Sequence, residues 1–469
     1  MTLKRDWKAY PPTYRAREIR AIARLLRAGE SGSIVGLAGA GKSNLLGFLS
    51  HRPEVMNQQL ADAPFRPVLV FVDLNSLPDI DLGTLYRVIL RSLYEACTQL
   101  AAIEETLPPT IEALYRKVED KTDPFLSQSA LREALFSLKE KQVRLALMFD
   151  PFDQFCRATP TPMLNNLRGL RDSFKANLSY LFGLRHEATY LRSPDELGEL
   201  FEIMDTHICW LGPMDKEDAN WIVEQIEAAT RQVFAEAQVE RLIDLTGGFP
   251  ALLRAASLWL AEVLPIPEID AWEARLLTEP SLQNRLNDIW NGLTGEEQAT
   301  LSVLQTTLAV TRDKDRQDSL RQIEAKYSQV LDRLQAKHLC QRTSVGWQLF
   351  SPLFASFIAD IATVNIGKIW HDPQTDRFWQ GERELPDLTE QDRRLLCYFL
   401  DHPHIVCTID ALIGACWAEA EPEGVSNQAV QQAIRHFRKG IEPNPAKPCY
   451  LITQHGAGYR FFPEGAPQT

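Results

Sequence analysis

The octapeptide Gly36-Leu37-Ala38-Gly39-Ala40-Gly41-Lys42-Ser43 has the spacing G-x-x-x-x-G-K-[ST]. That pattern suits a phosphate cradle. Glycines let the backbone wrap an anion with successive N–H groups pointing inward, Lys42 reaches the β- and γ-phosphates, and the Ser43 hydroxyl ligates Mg2+. A helix starting at Lys42 adds its N-terminal dipole. Candidate nucleotide-binding residues are Gly36, Gly39, Ala40, Gly41, Lys42, Ser43 and Asn44. Farther along, Asp150 closes the apolar run Leu145–Phe149, where an acid beside Mg2+ is expected. The next residue, Pro151, has no side chain able to orient or deprotonate water, and Asp153 is the alternative base. Candidate catalytic groups are therefore Lys42, Asp150 and Asp153, with Ser43 and Asp150 on the metal, and hydrolysis is expected to be slow or absent.

A second set of residues suits a different polyanion. Residues 366–423 carry 5 Lys/Arg and 12 Asp/Glu, net −7. Residues 424–463 carry Arg435, Arg438, Lys439, Lys447 and Arg460 against Glu442, net +4. Positive charge thus collects on one short segment of an acidic region, as a DNA reader requires. Arg435 and Arg438 lie three apart and share a helix face.

These residues need elements to hold them. Ser33-Ile34-Val35 reads as a strand before the Gly-rich turn, and Lys42–Leu49 as an apolar helix after it. Val68–Asp73, Leu145–Asp150 and Leu178–Leu184 are further buried strands, and Leu82–Cys97 has helical periodicity. Short apolar strands alternating with helices predict a parallel sheet covered on both faces. From Pro213 the pattern becomes helical: Asp215–Ala229, Ala235–Thr246 and Ala251–Val263. Residues 285–362 read as helices with a short ribbon at Leu339–Arg342 and Gly346–Phe350. Beyond Ile361 come a strand-rich stretch, helices beginning near 389, 408 and 426, and a ribbon at Tyr450–Phe462. The tail Pro463–Thr469 is expected to fray.

The 469 residues, 45% hydrophobic and 24% charged, are long enough for three or four domains and too apolar for wholesale disorder. No apolar run approaches membrane-spanning length, and the charged first thirty residues lack a signal-peptide core, so a cytoplasmic protein without membrane contact is expected. The eight cysteines show no Cys-x-x-Cys spacing, which disfavours a zinc site and suits free thiols. A net charge of −12 argues against indiscriminate nucleic-acid coating.

Several stretches across residues 10–362 resemble the STAND class of signal-transducing P-loop NTPases, among the AAA-like ATPases. Tyr14-Arg15-Ala16-Arg17-Glu18 is similar to its adenine-side motif, with Ala16 in place of the usual glycine. The resemblance implies nucleotide contacts from Arg17 and from Pro250 in Thr246-Gly247-Gly248-Phe249-Pro250, and a γ-phosphate sensor at Arg185. Ser351-Pro352-Leu353-Phe354 resembles the end of the winged helix that follows the lid in such proteins. Residues 366–462 resemble the OmpR/PhoB-type winged-helix DNA-binding domain. Its recognition helix is matched by Val430–Lys439 and its wing by Ile452-Thr453-Gln454-His455-Gly456-Ala457-Gly458-Tyr459-Arg460-Phe461. The implied DNA contacts are Asn427, Gln431, Arg435, Arg438, Lys439, His455 and Arg460.

Together these readings predict a multidomain α/β chain: a P-loop NTPase parallel sheet (1–212), a helical lid (213–280), a winged helix (281–363) and a C-terminal α+β OmpR/PhoB-type winged helix (364–469). They imply ATP/ADP and Mg2+ as cofactors, double-stranded DNA as partner, a homo-oligomeric assembly, and an ATP-regulated transcriptional regulator. The rivals are a nucleotide-switched signalling or anti-phage platform using the last domain as a protein adaptor, and an origin-recognition-like or transposition ATPase.

Overall fold

The computed structural model describes residues 6–309, 313–344, 346–361, 366–385, 388–417 and 425–468. The first part alternates helix and strand: α1 (Ala16–Arg27), β1 (Gly32–Val35), α2 (Lys42–His51), β2 (Pro67–Asp73), α3 (Leu82–Glu95), α4 (Leu107–Val118), α5 (Pro124–Glu140), β3 (Arg144–Asp150), α6 (Phe152–Ala158), α7 (Thr161–Ser173), β4 (Leu178–Leu184) and β5 (Ile208–Trp210). Among the described residues these strands form a five-stranded parallel sheet in the order β2-β3-β4-β1-β5. Every residue of β1 and β4 is buried, because helices cover both faces. The edge strand β5 had no sequence signal. It has three residues, all half-buried, too few to show a period.

The register places Val35 opposite Leu184, Phe149 opposite Phe182 and Asp73 opposite Asp150. The carboxyl ends of β1, β3 and β4 therefore open on one edge, the usual ligand crevice of such sheets. Three helices follow: α8 (Lys216–Thr230), α9 (Glu236–Thr246) and α10 (Pro250–Glu262). Asp215 starts α8 by accepting from the Asp218 N–H at 2.9 Å.

The chain divides into two compact units, one of residues up to Val239 with Gly248–Glu262, the other of Glu240–Gly247 with the residues from Val263 on. The segment read from the sequence as a lid, 213–280, is divided between the two units, whereas the described residues of 281–363 and 364–469 share the second. The division expected at 363/364 lies outside the described residues.

The second unit holds two winged-helix arrangements. The first has α11 (Pro280–Asn291), α12 (Gly295–Leu308), α13 (Asp313–Ala336, kinked at Tyr327), the ribbon β6 (Cys340–Thr343) and β7 (Gly346–Leu349), and α14 (Pro352–Asp360). The second opens with an antiparallel sheet of β8 (Ile369–Asp372), β9 (Arg377–Gln380) and β10 (Arg383–Glu384). Then come α15 (Glu390–Asp401), β11 (Val406–Cys407), α16 (Ile409–Cys416), α17 (Asn427–Ile441), β12 (Leu451–Gln454) and β13 (Gly458–Phe461). β11, β13 and β12 pair in that order as a small sheet. Its core gathers Leu395, Phe399, Leu412, Val430, Ile434, Phe437, Tyr450 and Phe461.

Residues 463–468 of the tail do not fray, and Thr469 lies outside the described residues. Residues 463–467 are buried, and the Ala466 N–H donates to Cys449 O at 2.7 Å. A short Pro/Gly-containing end resembles a loose terminus in sequence, but here its backbone groups have partners in the fold.

Candidate nucleotide site and nucleic-acid interface

The phosphate loop leaves β1 at Gly36 and turns into α2 at Lys42. Gly39 and Gly41 sit at φ +83° and +97°, a region that only glycine adopts without strain. Gly41 is the N-cap of α2, so the helix starts with open N–H groups facing the crevice. The Lys42 ammonium donates to Gly36 O, with Leu37 O at 3.5 Å, inside its own loop. Its pKa is lowered to about 8, chiefly by desolvation and further by Arg185, against the opposing pull of Asp153 and Asp150.

Asp150 ends β3 and is 3% exposed. Burial raises its pKa, while a hydrogen bond with the Ser43 side chain and the charge of Lys42 oppose that rise. Its neighbour in β4 is Gly183, and a Cβ built there would lie 2.3 Å from Asp150 Oδ1, so a side chain at 183 would push the carboxylate aside. Asp153 lies in the first turn of α6 and accepts from the Arg185 N–H at 2.8 Å through Oδ1. Its Oδ2 is buried with no hydrogen-bond partner among the described residues. The Arg185 side chain is exposed, and Arg157 on α6 is within electrostatic reach of both Asp153 and Arg185. Lys42, Ser43, Asp150, Asp153 and Arg185 are therefore brought together at this edge of the sheet. Arg157 was missed, because nothing in its local sequence marks it.

Of the two arginines in the expected adenine-side motif, Arg15 is the one bonded to the loop. Arg17 is 58% exposed on its side chain and pairs with Glu18 at 2.6 Å. Arg15 is the residue against the loop. It is buried, with guanidinium bonds to Ala40 O at 2.8 Å, Gly212 O at 2.8 Å and Pro213 O at 3.1 Å. Its N–H donates to Asp218 Oδ2 at 2.8 Å. The chain turns left-handed at Arg15 (φ 54°), so the side chains on either side of it do not keep the spacing of a continuous helix. Pro250 begins α10, and its Cγ would lie 3.8 Å from a Cβ on Gly41, so it does flank the loop. Buried Tyr14 is there too, its hydroxyl pushed up to about 12 by burial.

Among the described residues no group of three or more His, Cys, Asp or Glu could hold a metal. The donors at the crevice are the Ser43 hydroxyl and the Asp150 carboxylate, both hard oxygen ligands. They suit Mg2+, which keeps much of its shell for water and substrate phosphate oxygens.

In the C-terminal domain Ser426 caps α17 by accepting from Ala429 N at 3.2 Å. Val430, Ile434, Phe437 and Ile441 form its buried stripe. The opposite face exposes Asn427, Gln428, Gln431, Gln432, Arg435 and Lys439. His455 is exposed at the wing tip. Two expected DNA contacts are engaged elsewhere. Arg438 is half-buried, donating to Leu451 O at 2.6 Å and Thr453 Oγ1 at 2.9 Å. Arg460 is 1% exposed, donating from Nε to His404 O at 2.8 Å with its guanidinium over the Phe462 ring. Both cations join α17 or the wing to the rest of the domain, so Arg460 in particular is not placed to meet a phosphate.

Residues 382–461 match the family described as transcriptional regulatory protein, C terminal. The transcriptional regulatory protein YvrH of Bacillus subtilis is 39% identical over 70 residues, 15% of this chain and 29% of that protein. The alkaline phosphatase synthesis regulator SphR of Synechococcus elongatus is 38% identical over 88 residues, 19% of this chain and 33% of that one. The chain thus spans about a third of the length of these curated relatives. A Walker-type ATPase of Pyrococcus abyssi is similar at 14% identity and TM-score 0.39, covering 75% of this chain and 99% of that one. The ADP form of the Aeropyrum pernix ORC2 protein gives 15% and 0.39, covering 76% and 98%. The P-loop fold rests on the loop and sheet order above rather than on those two likenesses.

Proposed function

We propose that the protein is a nucleotide-controlled, DNA-binding transcriptional regulator, with ATP or ADP held at Gly36–Ser43 and double-stranded DNA read by α17. The observation that carries the reading is the exposed polar and cationic face of α17 within the segment matching transcriptional regulators. Helix N-terminal halves meet base edges in the major groove, and cations beyond them meet phosphates. Exposed Gln428, Gln431 and Gln432 would meet bases, and exposed Arg435 and Lys439 follow on the same face.

At the other end of the chain, Lys42 would exchange the carbonyls of Gly36 and Leu37 for phosphate oxygens. Ser43 and Asp150 would hold Mg2+, which neutralises phosphate charge, and Arg185 would meet the terminal phosphate. Arg15 fixes the loop from behind through Ala40 O while also binding the start of the helical segment at Gly212, Pro213 and Asp218. It therefore links the loop to α8. Pro151 follows the acid without a side chain to activate water, and Asp153 has one oxygen bound by the Arg185 amide, so slow turnover and a switch role follow. The assembly we propose is a homo-oligomer.

The adaptor reading draws on the engagement of Arg438 and Arg460, which leaves a small cationic footprint. Fluorescence anisotropy of the full-length protein on promoter fragments across a salt series separates the two. Arg435→Ala/Lys439→Ala should lose at least tenfold in affinity. Equal binding by variant and wild type at every salt concentration would favour the adaptor.

A further inference from the structure

The family match ends at Phe461, and the residues beyond it connect to the other winged helix. The tail first joins its own domain: Ile369 N–H donates to Pro463 O at 2.7 Å, and Ala466 N–H to Cys449 O at 2.7 Å. It then reaches α11 and α12 of the first winged helix. Glu296 N–H donates to Glu464 O at 2.8 Å and Gly295 N–H to Gly465 O at 3.1 Å. Gln468 N–H donates to Asn291 O at 2.7 Å.

The positions of these bonds matter more than their number. The first N–H groups of a helix and its last carbonyls have no partner within the helix. Gly295 and Glu296 are the first two residues of α12, and Asn291 is the last of α11. Thr294 Oγ1 accepts from the next amide, Glu297 N, at 3.1 Å. The tail thus supplies to two helix ends of one domain the partners those ends lack, from the backbone of another.

The fit leaves no slack. A Cβ on Gly295 would lie 2.8 Å from Tyr450 Oη and 3.2 Å from Glu464 O. Away from the tail, Tyr327 Oη on α13 donates to Glu382 Oε1 at 2.7 Å, and Lys326 pairs with the same carboxylate. Throughout, the polar face of α17 stays exposed.

We infer that residues 462–468 are a docking element that binds the C-terminal winged helix to the first winged helix, so that the two move as one body. The DNA reader is then a fixed extension of the first winged helix. The consequence for regulation rests on the nucleotide switch proposed above: any movement of the first winged helix displaces α17 as a rigid unit. The docking itself does not depend on that reading.

Hydrogen–deuterium exchange of the full-length protein tests the docking. In wild type, peptides covering 295–299 and 463–468 should both be protected. Gly295→Val, which alters the first winged helix alone, should speed exchange at least tenfold in both peptides together, leaving those covering β3 and α17 unchanged. Lys326→Met/Tyr327→Phe, which loosens the second contact without crowding the tail, should speed the tail peptide several-fold and controls for misfolding of the first variant. Free exchange of the wild-type tail, or a tail peptide unaffected by both variants, would overturn the proposal. DNA affinity measured alongside keeps the two readings apart. No DNA binding with a protected tail would defeat the DNA reading and leave the docking intact.

Discussion

Lys42 is where the electrostatics of the crevice can be measured. Its ammonium is held by loop carbonyls and lowered to about 8 by desolvation. A bound polyphosphate adds negative charge beside it and raises the pKa, so binding takes up a proton when the free Lys42 is neutral. Nucleotide affinity should therefore be full below about pH 8 and decline as pH rises above it, with one proton taken up per nucleotide; calorimetry in buffers of different ionisation enthalpy counts it. Lys42→Ala should remove this dependence and cost about 1.5–3 kcal/mol, roughly ten- to a hundredfold in Kd. Gly183→Ala is a second residue-scale test, since the added methyl would meet Asp150 Oδ1 at 2.3 Å. It should displace the carboxylate and reduce the Mg2+ dependence of ADP binding at least tenfold. Unchanged Mg2+ titrations would remove Asp150 from the metal site. The loop residues were legible in the sequence because their chemistry is local. Arg15 was not, because its partners at 40, 212, 213 and 218 become neighbours only when the sheet and helical segment are assembled.

At the scale of elements, α17 separates two kinds of cation that composition cannot distinguish. Arg435 and Lys439 project from the exposed face, whereas Arg438 binds the Leu451 carbonyl and Arg460 is buried. Arg438→Ala should act mainly on stability, by about 1–2 kcal/mol from hydrogen bonds to a part-buried charged group, seen as a lowered Tm for the domain's transition. Arg435→Ala should leave Tm in place and reduce DNA affinity. The reverse pattern would exchange their roles. Gln431→Ala should relax sequence preference, with a loss of about 1–3 kcal/mol at one base pair, adenine being the natural partner of a glutamine amide. The charge asymmetry of residues 424–463 was readable, as were the helix and ribbon that carry it. Which cations close the domain was not, because the His404 carbonyl lies 56 residues from Arg460 and the Leu451 carbonyl belongs to β12, a separate element from α17. The strand β5 was hidden for another reason, having too few residues to show any period.

At the scale of the whole molecule, the chain combines a P-loop crevice with the exposed helix α17 proposed to read DNA, and α17 sits in one compact unit with a preceding winged helix. The exposed cations of the reading segment, Arg435, Lys439 and Lys447, set a modest salt dependence, a log–log slope of about −3 for one copy. Pairing two copies would double it and raise affinity through effective concentration, so a slope near −6 on a site with two half-sites would report the homo-oligomer. The central claim is that the nucleotide state controls DNA binding. Its most direct test is the anisotropy of full-length protein on one promoter fragment at fixed salt, without nucleotide and with saturating Mg-ADP or Mg-ATP. The expected result is a change of at least tenfold in DNA Kd between ADP and ATP that disappears in Lys42→Ala. The same DNA Kd in all three conditions, with nucleotide binding independently verified, would contradict it.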